Sequence, residues 1–120
     1  MNAADKIRLA ERFRDEEIAI VVRTEQEYNE FLDIADSIGL RWRYHDRPMH
    51  EQDFETILPA ALVCGWRNYG TDYGTVSRSI DLDYYSRERG WETISLDDFI
   101  SANSAAVDIS ELLHILGDDN

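Results

Sequence analysis

The chain's 120 residues, 43 % hydrophobic and 11 % aromatic, suit one domain with its own core and rule out a wholly disordered chain, while 12 bases against 25 acids leave a formal net charge of −13 and point to basic partners. Cys64 is the only cysteine, which excludes an internal disulfide. No apolar run approaches the ~18 residues of a helical membrane span, and Met1–Ala10 lacks the apolar centre of a signal peptide, so the expected compartment is the reducing cytoplasm.

Residues 3–14 predict a short helix, with Ile7, Ala10 and Phe13 as a thin apolar stripe. Ile18–Val22 is a run of branched residues, the pattern of a buried strand. Thr24-x-x-Glu27 is a capping box, in which the hydroxyl and the carboxylate each satisfy a free backbone N–H. The helix behind it places Tyr28, Phe31, Leu32, Ala35 and Ile38 on one face, and Gly39 suits the left-handed position that ends it. Leu40–Tyr44 alternates and predicts a half-buried strand with Leu40, Trp42 and Tyr44 inward. His45–Phe54 is polar, contains Pro48 and reads as a loop. Ala60–Trp66 is a second buried run. Asn68–Ser79, with Gly70 and Gly74 in a YGT-D-YGT near-repeat, predicts a loop or hairpin. Ser79–Arg89 predicts a helix ended by Gly90, and Trp91–Leu96 a last strand with Ile94 and Leu96 inward. Asp97–Ile100 predicts a short turn of helix. After a linker at Asn103–Ala106, Asp108-x-x-Glu111 caps a helix with Ile109, Leu112, Leu113 and Leu116 on one face, closed by Gly117. The expected fold is α+β: a three- to four-stranded sheet with a covering helix and short peripheral helices. Residues 1–102 form the domain, and 103–120 an acidic helix, packed or extended as an arm. The expected core includes Ile20, Val22, Phe31, Leu32, Trp42, Leu62 and Ile94.

Few residue groupings suggest chemistry. His45, Asp46, His50, Glu51 and Asp53 are of metal-ligand type, but Pro48 interrupts them and no H-E-x-x-H spacing is present, so a solvated loop without metal is expected. Trp66, Arg67, Tyr69, Tyr73 and Arg78 could stack a base and hold its phosphate, although no phosphate-loop ending accompanies Gly65, Gly70 and Gly74. Cys64 lies in an apolar run and reads as a small buried hydrophobe; His114 falls within the last helix; no nucleophile triad emerges, so neither enzymatic activity nor a cofactor is expected. Arg41, Arg43 and Arg47 are too few to make direct nucleic-acid binding the leading reading. The acids are distributed unevenly. Residues 91–120 carry seven acids and no base, which cannot be neutralised locally. Asp97, Asp98, Asp108, Glu111, Asp118 and Asp119 are therefore the candidate partner-binding residues, a strip of carboxylates able to stand in for nucleic-acid phosphates.

The stretch Ile18–Phe99 resembles a type of small acidic α+β protein met in phages and prophages. The shared features are the branched strand, the capped helix ending in Gly, the strand with Trp42, a variable polar loop, and the Tyr-rich DLDYYSRERGWETISLDDFI at Asp81–Ile100. The HDRP of His45–Pro48 stands where a short Gly or Ser turn is commoner. The resemblance brings no activity with it but implies phage origin, where small acidic proteins often block host nucleic-acid enzymes. The expected function is thus a non-enzymatic inhibitor, anti-CRISPR-like, that occupies the basic nucleic-acid-binding surface of a host effector in the host cytoplasm. A binder of a nucleotide signal and a self-pairing accessory protein are the alternatives.

Overall fold

The computed structural model describes residues 2–43, 46–51, 55, 57–65 and 74–102. Its element order is α1 (Ala3–Asp15), β1 (Ile18–Val22), α2 (Glu25–Asp36), β2 (Arg41–Trp42), β3 (Ala60–Cys64), β4 (Thr75–Ser79), α3 (Tyr84–Arg89) and β5 (Glu92–Ser95), followed by α4, the helical residues 96–102. The chain is α+β as expected, with five strands among the described residues rather than three or four. The predicted acidic helix of 103–120 lies outside the described residues.

The strands pair in the order β2-β4-β3-β1-β5. β3 runs antiparallel to β1 and β4, whereas β5 is parallel to β1 and β2 to β4. Four strands therefore share a direction and β3 opposes them. The β1–α2–β2 crossover leaves a gap of two positions, which β3 and β4 fill. β2 is an edge strand of only two residues, a length that offers little template for further pairing.

Local signals explain most of the helices. Asn2 Oδ1 accepts from Asp5 N–H at 2.8 Å and caps α1. Thr24 Oγ1 accepts from Glu27 N–H at 3.1 Å, while the Glu27 carboxylate accepts from Arg23 N–H at 3.2 Å, one residue before the box's usual donor. Gly39 and Gly90 adopt φ of 73° and 68°, left-handed values at the ends of their helices, as predicted for Gly39. Ser95 Oγ accepts from Asp98 N–H at 3.1 Å and starts α4.

Side chains on the two sheet faces have separate surroundings, because successive strand residues point to opposite sides. Ile18, Ile20 and Val22 join Leu62, Val76, Trp42 and the buried faces of α1 and α2 in the main core. Phe13 meets Phe31 edge-on there, with centroids 5.3 Å apart. Trp42 is fully buried, and its indole N–H donates to the Met49 carbonyl at 2.9 Å, pinning the segment after β2. Ala19, Val21, Ala61 and Val63 point the other way and are covered by Tyr85, with Leu82 and Trp91 alongside.

Several expectations need correction. Of the loop or hairpin expected at Asn68–Ser79, the hairpin agrees in part: Thr75–Ser79 is a strand antiparallel to β3, though in the interior of the sheet, and 66–73 lies outside the described residues. The strand expected at Leu40–Tyr44 shortens to Arg41–Trp42, Tyr44 being outside the described residues. The helix expected over Ser79–Arg89 begins only at Tyr84, since Ser79 Oγ and the Asp81 side chain bond nearby backbone and build a turn. Leu96 is buried, but as the first residue of α4 rather than the last of a strand. Ile7 is 39 % exposed; Leu9, Ala10 and Phe13 form the buried face of α1 instead.

Candidate functional site

The two helices α1 and α2 cover one face of the sheet, and among the described residues the six-residue α3 is the helix that covers the other. A helix of that length cannot span five strands. On the α3 side, alternation puts Arg43 beyond β2, Ser77 on β4 and Val63 on β3 toward the same surface, and Val63 and Ser77 are direct cross-strand partners. α3 and the residues behind it supply the opposite wall. Together they enclose a cleft of about 170 Å³ lined by Arg43, Val63, Gly65, Ser77, Tyr84, Tyr85, Arg89 and Trp91.

The aromatic wall is ordered by its own contacts. Tyr85 stacks on Trp91 at 5.7 Å with planes 20° apart, and Tyr84 meets Tyr85 edge-on at 5.1 Å. The Arg89 guanidinium lies 5.8 Å from the centroid of the Trp91 ring, within cation–π range. Among the described residues Arg89 has no ion pair. Its neighbour Arg87 differs: it bonds Asp81 at 2.7 Å and Glu88 at 3.3 Å. The Arg87 guanidinium holds the Asp81 carboxyl below the usual carboxylate range, chiefly through their hydrogen bond. Thus Arg87 is engaged by acids while Arg89 is turned to an aromatic ring. Thr75, two residues before Ser77 on the same face, buries a hydroxyl with no hydrogen-bond partner among the described residues.

The cleft was not anticipated from the sequence. Of the nucleotide-binding set, Trp66, Arg67, Tyr69 and Tyr73 lie outside the described residues. Arg78 is described, and the register sets it opposite Leu62 on the main-core face, away from the cleft. It donates to the Glu55 carbonyl at 2.9 Å. Cys64 is buried on that same main-core face, as the sequence reading expected.

Of the acidic partner-binding set, Asp97 and Asp98 are exposed on α4 and form no ion pair among the described residues, while Asp108, Glu111, Asp118 and Asp119 lie outside them. A second group of acids lies on α2. Within Glu25–Asp36, α2 carries Glu25, Glu27, Glu30, Asp33 and Asp36 and no base. Asp33 and Asp36 stand near its C-terminus, where the helix dipole disfavours negative charge by about 0.3–1 kcal/mol each. Asp33 meets His50 Nε2 at 3.0 Å, which ties the segment after β2 to this helix. Of the loop residues weighed as metal ligands, His45 and Asp53 lie outside the described residues, and the described Asp46 pairs with Arg41 at 3.2 Å. The chain matches no protein-family model, no curated protein and no solved structure.

Proposed function

We propose that this chain is a non-enzymatic acidic binding protein, an inhibitor of the phage, anti-CRISPR-like type, that occupies a basic nucleic-acid-binding surface of a host protein. The observation that carries this reading is the segregation of acid from base. α2 exposes carboxylates without an intervening base, and helix stability does not account for Asp33 and Asp36 where they stand. Asp97 and Asp98 continue the pattern on α4, and the sequence beyond adds Asp108, Glu111, Asp118 and Asp119 with no base. A basic groove facing such carboxylates gains charge-assisted hydrogen bonds and gives up bound phosphate or counterions.

The test is capture from a bacterial lysate on the immobilised chain, with each captured protein identified and assayed for release from its nucleic acid. A nucleic-acid-binding protein should be retained at ~50 mM salt and largely lost at ~200 mM. Reversing Asp97, Asp98 and Asp36 to Lys should leave circular dichroism unchanged and abolish the capture. Retention of the same protein by the reversed variant would end this reading.

A further inference from the structure

We infer that the cleft between α3 and the β2–β4 side of the sheet is a binding site for a mononucleotide, with the base against the aromatic wall and the phosphate on Arg43 and Arg89. This site is independent of the acidic surfaces, so either reading can fail alone. The first ground is charge. The protein carries a net charge of −13, yet the described residues lining this cleft include two arginines and no carboxylate. The second is shape. Among the described residues the sheet contributes only small side chains to the lining, Val63 and Ser77, and Gly65 contributes none. A flat ring can therefore approach the sheet between them and the Tyr84–Tyr85–Trp91 wall.

The third ground is the division of polar and apolar groups. Both Arg43 and Arg89 are exposed residues, the Arg89 guanidinium lying beside the Trp91 ring, so a phosphate that they hold keeps part of its hydration. Tyr85, by contrast, is buried, and Trp91 half-buried against it. A ligand with one planar apolar end and one anionic end matches that order. Stacking on an aromatic side chain accepts every base alike, whereas Ser77 offers a single hydroxyl for hydrogen bonding at the sheet. The volume of about 170 Å³ seats one ring system and leaves the sugar and phosphate at the mouth. A dinucleotide or a larger cofactor is too big, since sites for drug-sized ligands typically enclose about 300–1,000 Å³.

The test is calorimetric titration of the full chain with AMP, GMP, CMP and UMP, and with adenosine and inorganic phosphate as the two halves of the ligand. At least one monophosphate should bind with Kd between roughly 10 μM and 1 mM, and each half alone at least about tenfold more weakly. Arg43→Gln with Arg89→Gln should weaken the monophosphate about tenfold or more without changing circular dichroism or melting. Should that double variant fold poorly, Arg89→Gln alone, at an exposed position, and Ser77→Asp, which puts a carboxylate at the sheet where the base sits and adds a negative charge to a site for an anion, must each weaken binding. Absence of binding by all four monophosphates up to about 5 mM overturns the assignment. So does phosphate alone binding as tightly as the nucleotide, or undiminished binding in the folded variants.

Discussion

The two faces of the sheet are built from the same strands yet are covered differently. On one, α1, α2 and the start of α4 bury Phe13, Phe31, Trp42, Leu62, Leu96 and Phe99 almost completely. On the other, a short helix covers Ala19, Val21, Ala61 and Val63, and the surface toward β4 and β2 stays polar. The contrast teaches how closely each side is packed. A face packed by two helices tolerates no polar gap, because each buried side chain contributes through contact on all sides. Among the described residues the other face is partly open, and it keeps the Ser77 hydroxyl and the guanidinium groups of Arg43 and Arg89 in place at little cost, since water still reaches them.

The sharpest way to break this contrast is to truncate one tryptophan on each face. Trp42→Ala removes a fully buried ring, leaves a cavity and frees the Met49 carbonyl from its indole partner. It should cost ~3–5 kcal/mol, read from urea unfolding. Trp91→Ala removes a half-buried ring stacked on Tyr85 and should cost about half as much or less. Equal losses would mean that the α3 side is as tightly built as the other and that the cleft is part of a continuous core.

A second test probes how closely the main face is packed. A Cβ built on Gly74 would come within 2.5 Å of Leu40 Cδ2 and 2.7 Å of Cys64 Sγ. Both neighbours belong to the main core. Gly74→Ala should therefore destabilise by ~1–3 kcal/mol through overpacking. For a chain of this size that lowers the melting temperature by roughly 3–15 °C. A neutral result would show that Leu40 and Cys64 have room to move, and that this side is less tightly filled than its burial implies.

How much of this could be read beforehand follows from the same two faces. Where a strand is buried on both sides, as at Ile18–Val22 and Ala60–Cys64, every residue is apolar and the sequence signal is unbroken. α2 was legible because its cap, its apolar face and its terminal glycine agree. β4 was not legible. Its Thr-Val-Ser-Arg-Ser has one large apolar residue, Val76, because one face lines the open side and Arg78 reaches the Glu55 carbonyl from the other. Hydrogen bonding to β2 and β3 on either side holds it as a strand regardless of propensity. The cleft was illegible for a related reason. Arg43, Val63, Ser77, Tyr84 and Arg89 come from four separate stretches of chain, and only the β2-β4-β3 order brings them together. The acids were half legible: the base-free stretch after residue 90 was plain, while the base-free α2 was hidden by the arginines that flank it at Arg23 and Arg41.

The smallest expected effect comes from the ion pair that begins the α3 side. Asp81 accepts from Arg87 at 2.7 Å, and both side chains are about half exposed. The carboxyl is held below its ordinary value of 3.8, first by the Arg87 hydrogen bond and then, in the same direction, by the Asp83 backbone N–H. A carboxylate depressed in the folded state binds fewer protons there than in the unfolded chain. Its stabilising contribution is therefore fully present above the unfolded value and is lost as pH falls through the lower folded one. Because solvent screens so exposed a pair, Asp81→Asn should lower the melting temperature by only about one degree at pH 7. The difference from wild type should stay constant from pH 7 down to about pH 5 and close as acid protonates Asp81 in both states. Added salt should shrink it further. A loss at pH 7 comparable to that of Trp91→Ala would mean that the turn at Asp81, and not the Tyr85–Trp91 stack, holds α3 on the sheet.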